Sequence, residues 1–130
     1  MFCGNFRGTI SDRGELIIPI FGWGRKKVII GMWPEGCLFL FPKKEWKIVT
    51  GKGKELFFLN REEIRTIFSH TIEGEINNGR IEIPEDLKEQ AGLEREVIVA
   101  GCDQRIEIWD KKRWEIECER ITEDFNLDPR

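Results

Sequence analysis

The chain has 130 residues, enough for one domain with a substantial core. Charged residues make up 35% of it and the formal net charge is −3, which argues against a general polyanion binder. Charges or glycines interrupt every long apolar stretch, so no segment is expected to span a bilayer. The opening MFCGNFRGT lacks the charged-then-apolar layout of a signal peptide, and a cytoplasmic location is the expectation. Cys3, Cys37, Cys102 and Cys118 form no CxxC pair, and the single histidine, His70, has no cysteine near it in sequence. Reduced structural thiols are expected, with no metal and no cofactor. The charge is uneven: residues 1–60 carry 10 Lys and Arg against 5 Asp and Glu, whereas 61–130 carry 11 against 19.

In chain order, Phe6 to Ile10 reads as a strand, Ser11-Asp12-Arg13-Gly14 as a turn, and Leu16 to Ile20 as the return strand, with Pro19 at its end. Arg25-Lys26-Lys27 leads into a strand over Val28 to Met32. Pro34-Glu35-Gly36 is a turn before a strand over Cys37 to Phe41. Pro42 fits the first position of a helix, where its missing N–H costs nothing, and that helix is predicted to end before Gly51-Lys52-Gly53. Asn60 followed by Glu63 resembles a capping box, and Ile64, Ile67 and Phe68 form an apolar stripe at helical spacing. Ile72 to Ile76 alternates toward Asn77-Asn78-Gly79, a strong hairpin signal, and Arg80 to Ile83 returns. Pro84 opens a helix with Glu85 and Asp86 in its first turn and Gly92 as its stop. Val97 to Val99 and Ile106 to Trp109 are the last strands. Asp110 caps a final helix that places Trp114, Cys118 and Ile121 on one face, and residues 126–130 read as a frayed tail.

The chain says nearly the same thing twice. Gly14-x-Leu16-Ile17-Ile18-Pro19 aligns with Gly79-Arg80-Ile81-Glu82-Ile83-Pro84, and Val28-Ile29-Ile30 aligns with Val97-Ile98-Val99. Leu38-Phe39-Leu40-Phe41-x-Lys43-Lys44-x-Trp46 aligns with Ile106-Glu107-Ile108-Trp109-x-Lys111-Lys112-x-Trp114. Two copies are too few for a solenoid and point to a pseudo-twofold domain, a shape that suits duplex DNA. Nine residues separate Pro19 from Val28 and thirteen separate Pro84 from Val97, so the first copy is short by about a turn of helix.

These residues resemble the MraZ family, of the SpoVT/AbrB-type swapped-hairpin class of bacterial DNA-binding proteins. The resemblance is carried by Met1-Phe2-x-Gly4 and by Gly36-Cys37-Leu38-x-Leu40-x-Pro42-x-x-Glu45-Trp46. It continues through Gly79-Arg80-Ile81-x-Ile83-Pro84, Ala91-Gly92-Leu93, Val97-Ile98-Val99-x-Gly101 and Ile106-Glu107-Ile108-Trp109-x-Lys111-x-Arg113-Trp114. It implies a β-rich α+β fold in which two pseudo-symmetric swapped-hairpin, AbrB/MraZ-like halves share one chain with short flanking helices. The expected division is a single domain over 1–130, with a first repeat at 4–50, a helical linker at 51–71 and a second repeat at 72–121. The resemblance also implies a ring-like homo-oligomer, associated with the nucleoid, that regulates transcription by binding short repeats in double-stranded promoter DNA, those of the division and cell-wall gene cluster. Each half of the family pattern carries Asp-x-x-x-Arg. Here Ser11 and Glu15 replace both members in the first half, while the second keeps Arg80 but is one residue short before Gly79, so that Asn77, or Ile76 without a gap, stands where the Asp is expected.

The candidate DNA-binding residues are therefore Arg80, Arg13, Asn77 and Asn78. An arginine beside a hairpin tip can fork onto guanine or phosphate, although one on a polar strand face is commonly just solvated; Arg13 can substitute for the arginine lost at Glu15 or be an ordinary exposed turn residue. Asn77 and Asn78 can read bases, but turn chemistry explains them as well. Lys43, Lys44, Lys111 and Lys112 read as solvated helix faces, and Trp46 and Trp114 as core or subunit contacts. Trp23, Trp33, Phe57 and Phe58 are expected at a homo-oligomeric interface. No nucleophile elbow, P-loop or histidine-centred motif points to an enzyme. The rival to DNA binding is a family member that keeps the assembly but not the DNA site and acts as a scaffold. If Glu15 pairs with Arg13 or Arg80, that rival gains.

Overall fold

The computed structural model describes residues 4–18, 25–52, 60–102 and 104–124. The chain-order elements are β1 (Asn5–Thr9), β2 (Glu15–Ile17), β3 (Arg25–Met32), β4 (Leu38–Pro42), α1 (Lys43–Lys52), α2 (Arg61–Ser69), β5 (Ile72–Asn77), β6 (Arg80–Glu82), α3 (Glu85–Gln90), β7 (Glu96–Cys102), β8 (Arg105–Asp110) and α4 (Lys111–Asp124). Among the described residues the eight strands form one antiparallel sheet in the order β1-β7-β8-β4-β3-β5-β6-β2. Its two ends, β1 and β2, are joined by the turn in which the Ser11 N–H donates to the Glu15 carbonyl at 2.9 Å, so the sheet curls nearly closed.

The order explains the internal repeat. Hairpin β1-β2 lies against β7 and β6, strands of the second copy, and hairpin β5-β6 lies against β3 and β2, strands of the first. Exchanging the copies maps the register onto itself. Leu38↔Ile108 becomes Leu40↔Ile106, and Glu15↔Glu82 becomes Ile17↔Arg80. Phe39↔Glu107 and Leu16↔Ile81 are each their own image, so the pseudo-twofold passes through both pairs. Two flanking hydrogen bonds obey the same exchange: Ile83 N–H to Gly14 O at 2.8 Å and Ile18 N–H to Gly79 O at 2.6 Å.

Alternation along the strands sends one set of side chains into the curl. Val28, Ile30, Leu38, Leu40, Ile76, Ile81, Val97, Val99, Ile106 and Ile108 form that core, joined by Leu87 of α3. The opposite face of β3, β4, β7 and β8 carries Ile29, Phe39, Phe41, Ile98 and Trp109, covered by Trp46 and Val49 of α1, Ile67 of α2 and Trp114 of α4. With both faces covered, β4 is buried along its whole length, which accounts for its unbroken Leu-Phe-Leu-Phe run. No such cover lies over the outer face of β1, β2, β5 and β6 among the described residues.

Several expectations change. Pro42 ends β4, paired opposite Val28, and the helix begins one residue later at Lys43. That helix runs through Gly51 to Lys52; a terminal glycine costs only about 1 kcal/mol relative to alanine, and packing of the preceding turns outweighs it. β3 begins at Arg25, before the apolar run, because β5 offers it partners from Asn77 to Ile72. Trp33 is covered within the subunit: it is 4% exposed, edge-on to Phe39 at 5.5 Å, with the Arg105 guanidinium 5.1 Å from its ring centre. In α4, Trp114 packs on Trp109 at 5.9 Å, but Cys118 and Ile121 are exposed rather than sharing its cover. The expectations placed on Met1, Phe2, Cys3, Pro19, Trp23, Phe57, Phe58, the missing helical turn after Pro19 and the tail lie outside the described residues.

The expected capping box is formed: Asn60 Oδ1 accepts from the Glu63 N–H at 2.8 Å, and Glu63 Oε1 accepts from the Asn60 N–H at 3.2 Å. Asp110 Oδ2 accepts from the Lys112 N–H at 3.2 Å and starts α4. Burial, with the nearby Glu107 carboxylate adding to it, pushes the Cys37 thiol far up and the Cys102 thiol up to about 11. Both therefore remain neutral at physiological pH.

Candidate nucleic-acid interface

The uncovered sheet face is flanked by two hairpin tips of different construction. The first is a three-residue loop, Asp12 to Gly14. Ser11 Oγ accepts from the Arg13 and Glu15 N–H groups at 3.3 and 3.1 Å, and Gly14 closes the loop with φ at +82°. The second is a two-residue loop, Asn78-Gly79, with φ at +54° and +74°, between the directly paired Asn77 and Arg80. Positive φ at both central positions is the twist-matched turn that Asn-Gly favours. The one-residue shortfall before Gly79 is this difference in loop length.

The structure brings Asn77, Asn78 and Arg80 together. With Glu15, Ile81 and Glu82 they line a shallow groove of about 440 Å³. Arg13 is not part of it. Gly14 is level with Ile83, so Arg13 belongs to the opposite end of the β2-β6 ladder, roughly 10 Å or more from Arg80 along the strands. All four candidate residues are exposed. Neither Arg13 nor Arg80 has a side-chain hydrogen bond or ion pair among the described residues, and Glu15 pairs with neither. Next to Arg13, Asp12 faces Arg95 at 3.8 Å, a pair exposed on both sides and correspondingly weak.

The surrounding charges are balanced rather than basic. Gly8 and Gly74 point into the core, where an added Cβ would meet Leu16 and Val97 or Ile30 and Val28. Their neighbours therefore point outward. Arg7, Arg25, Lys27 and Arg80 on this face stand against Glu15, Glu73, Glu75 and Glu82. Glu73 is held by Lys43 at 3.3 Å and Glu75 by Arg25 at 3.1 Å. Glu15 and Glu82 are directly opposite each other on β2 and β6, a like-charge pair that repels both itself and phosphate. Such a surface can offer a guanidinium fork and amide donors and acceptors at the Asn-Asn-Gly tip, between carboxylates that disfavour an indiscriminate approach of polyanion. No group of metal-ligating residues occurs among the described residues, and no described helix is long and apolar enough to cross a membrane.

One further residue belongs to this surface without a local signal in the sequence. Arg25 read as the lead-in to a strand, yet it is paired directly opposite Asn77. Only the β3-β5 register, between segments about fifty residues apart, reveals that neighbour.

Known proteins match this chain across both hairpins. The family model described as "MraZ protein, putative antitoxin-like" matches residues 67–129, which include the Asn-Asn-Gly tip and Arg80. The "Transcriptional regulator MraZ" of Moorella thermoacetica is 36% identical over 131 aligned residues, covering 96% of this chain and 92% of the relative. That of Desulforamulus reducens is 38% identical, covering 88% and 85%, and that of Pediococcus pentosaceus is 33% identical, covering 97% and 92%. Agreement of this extent, spanning both copies of the repeat and the α+β architecture they build, means that the chain belongs to the MraZ family.

Proposed function

We propose that this chain is a transcriptional regulator that binds double-stranded promoter DNA at short repeats, those of the division and cell-wall gene cluster, as a ring-like homo-oligomer in the cytoplasm, associated with the nucleoid. Its working unit is one domain over residues 1–130, in which repeats at 4–50 and 72–121 are joined by 51–71. The relatives' shared name, transcriptional regulator, supports the class of function. The observation that carries the reading is the uncovered sheet face with a tight Asn78-Gly79 tip beside Arg80, whose side chain has no protein partner among the described residues. Arg80 and Arg13 are the cationic contacts, one from each hairpin, and Asn77 and Asn78 support them. Self-association is supported by apolar side chains left exposed on α4, Ile116 at 61% and Ile121 at 46%.

The face-to-face Glu15 and Glu82 favour a second reading, a family scaffold with weakened DNA binding. One titration separates the two. Duplexes carrying one to several copies of the chain's own upstream repeat are titrated over a range of salt. DNA binding predicts an affinity that climbs steeply with repeat number, because each later contact is intramolecular, and that falls sharply with salt. Arg80→Ala is expected to lose about 1–3 kcal/mol per engaged site, and Glu15→Arg to gain affinity. If the unaltered protein binds no promoter fragment at low salt, the scaffold reading replaces this one.

A further inference from the structure

The register places residues of four strands in one line across the open face. Arg25 on β3 is directly opposite Asn77 on β5, Asn77 is directly opposite Arg80 on β6, and Arg80 is directly opposite Ile17 on β2. Residues directly opposite in an antiparallel ladder project to the same side, and neighbouring strands are about 4.8 Å apart. Arg25 and Arg80 therefore flank Asn77 with backbones roughly 10 Å apart. The pseudo-twofold image of this line at the other end of β2-β6 contains Ser11, Glu15 and Glu82. The first line carries two guanidinium groups and its image two carboxylates, although the backbone at the two is related by symmetry.

We propose that Arg25 is a further DNA-contacting residue and that it holds a backbone phosphate while Arg80, nearer the tip, addresses the bases. This rests on the DNA-binding reading above. Arg25 is well placed for the exchange. Its side chain is 73% exposed and its partner Glu75, at 3.1 Å, is 41% exposed, so the pair is screened by water and a phosphate can displace the carboxylate. Arg25 stands one strand away from the tip on β5, beyond Asn77, which suits a contact that sets orientation rather than sequence. The carboxylates of the image line make the grip one-sided, so the duplex is held mainly from the second hairpin, and Arg13 at the far end ranks below Arg25.

The test uses the full chain and two labelled duplexes, one with the upstream repeats and one with the same bases scrambled, titrated at several salt concentrations. Arg25→Ala is expected to weaken binding several-fold on both duplexes alike and to lower the salt slope by about one counterion per engaged subunit. Arg25→Lys should keep the slope, and Glu75→Gln should tighten binding by freeing the guanidinium. Arg80→Ala should instead narrow the gap between repeat and scrambled duplex. The inference is overturned if the unaltered protein binds the repeats while Arg25→Ala matches it in affinity and slope. It is also overturned if Arg25→Ala loses preference for the repeats as Arg80→Ala does. Absence of binding by the unaltered protein is a different result and removes the DNA-binding reading itself. Unchanged circular dichroism and unfolding midpoint for each variant show that a lost contact, not a lost fold, is being read.

Discussion

Asn78 shows how one residue can satisfy two demands. Its φ of +54° is costly for most side chains, and asparagine is among the few that tolerate it. The turn alone therefore accounts for an asparagine there, yet the same side chain lines the groove beside Arg80. Asn78→Gly separates the two roles, because glycine adopts this conformation without strain. If the side chain contacts DNA, the variant should unfold at nearly the same urea concentration but bind promoter repeats several-fold more weakly. Equal affinity would leave Asn78 as turn chemistry only. Gly36 illustrates the opposite case, a position set by the backbone alone: its φ of +98° is one that L side chains rarely adopt, and the Arg113 guanidinium, whose Nη2 donates to the Glu35 carbonyl at 3.2 Å, fills the space beside it. The sequence marks Gly36 as a turn residue, but Arg113 approaches it from 77 residues away.

At the scale of elements, local signals decide the outcome where the partners are within one turn of chain. The Asn60–Glu63 capping box, the Asn78-Gly79 hairpin and the acidic first turn of α3 depend on neighbours a few residues apart, and all three are formed. Asn60→Ala should cost about 1 kcal/mol, seen as a lower urea midpoint with an unchanged slope. A midpoint equal to that of the parent would mean that Ile67, 1% exposed and packed on the outer core, fixes α2 without its cap. Boundaries depend on distant partners. Pro42 and Gly51 carry strong local preferences, but pairing with Val28 in one case and the continuity of α1 in the other decide their state.

At the scale of the molecule, the exchange of hairpins ties the halves together. β1 finds its ladder on β7 and β5 finds its ladder on β3, so neither repeat completes its own sheet. A fragment ending at residue 52 should therefore be unfolded alone, and it should gain strand structure when mixed with a fragment starting at residue 60. The intact chain should unfold in one transition by fluorescence and circular dichroism alike. A first repeat that folds by itself, or two separate transitions, would contradict the exchange.

By itself the sequence determined the turns, the caps and the strand periodicities, because each is encoded by residues close together along the chain, and the doubled plan, because both copies carry the same run of such local signals. It also singled out Arg80, through its place beside a recognisable turn. Only the tertiary structure decided that Trp33 is covered within the subunit, that Arg13 and Arg80 belong to opposite ends of one ladder, and that Arg25 is in line with Asn77 and Arg80. The physical reason is register. Which strand lies beside which is fixed by burying one face of all eight strands at once, and a shift of a single residue would turn every side chain to the other face. No local stretch of the chain holds that information, and the charge pattern of the open face follows from it.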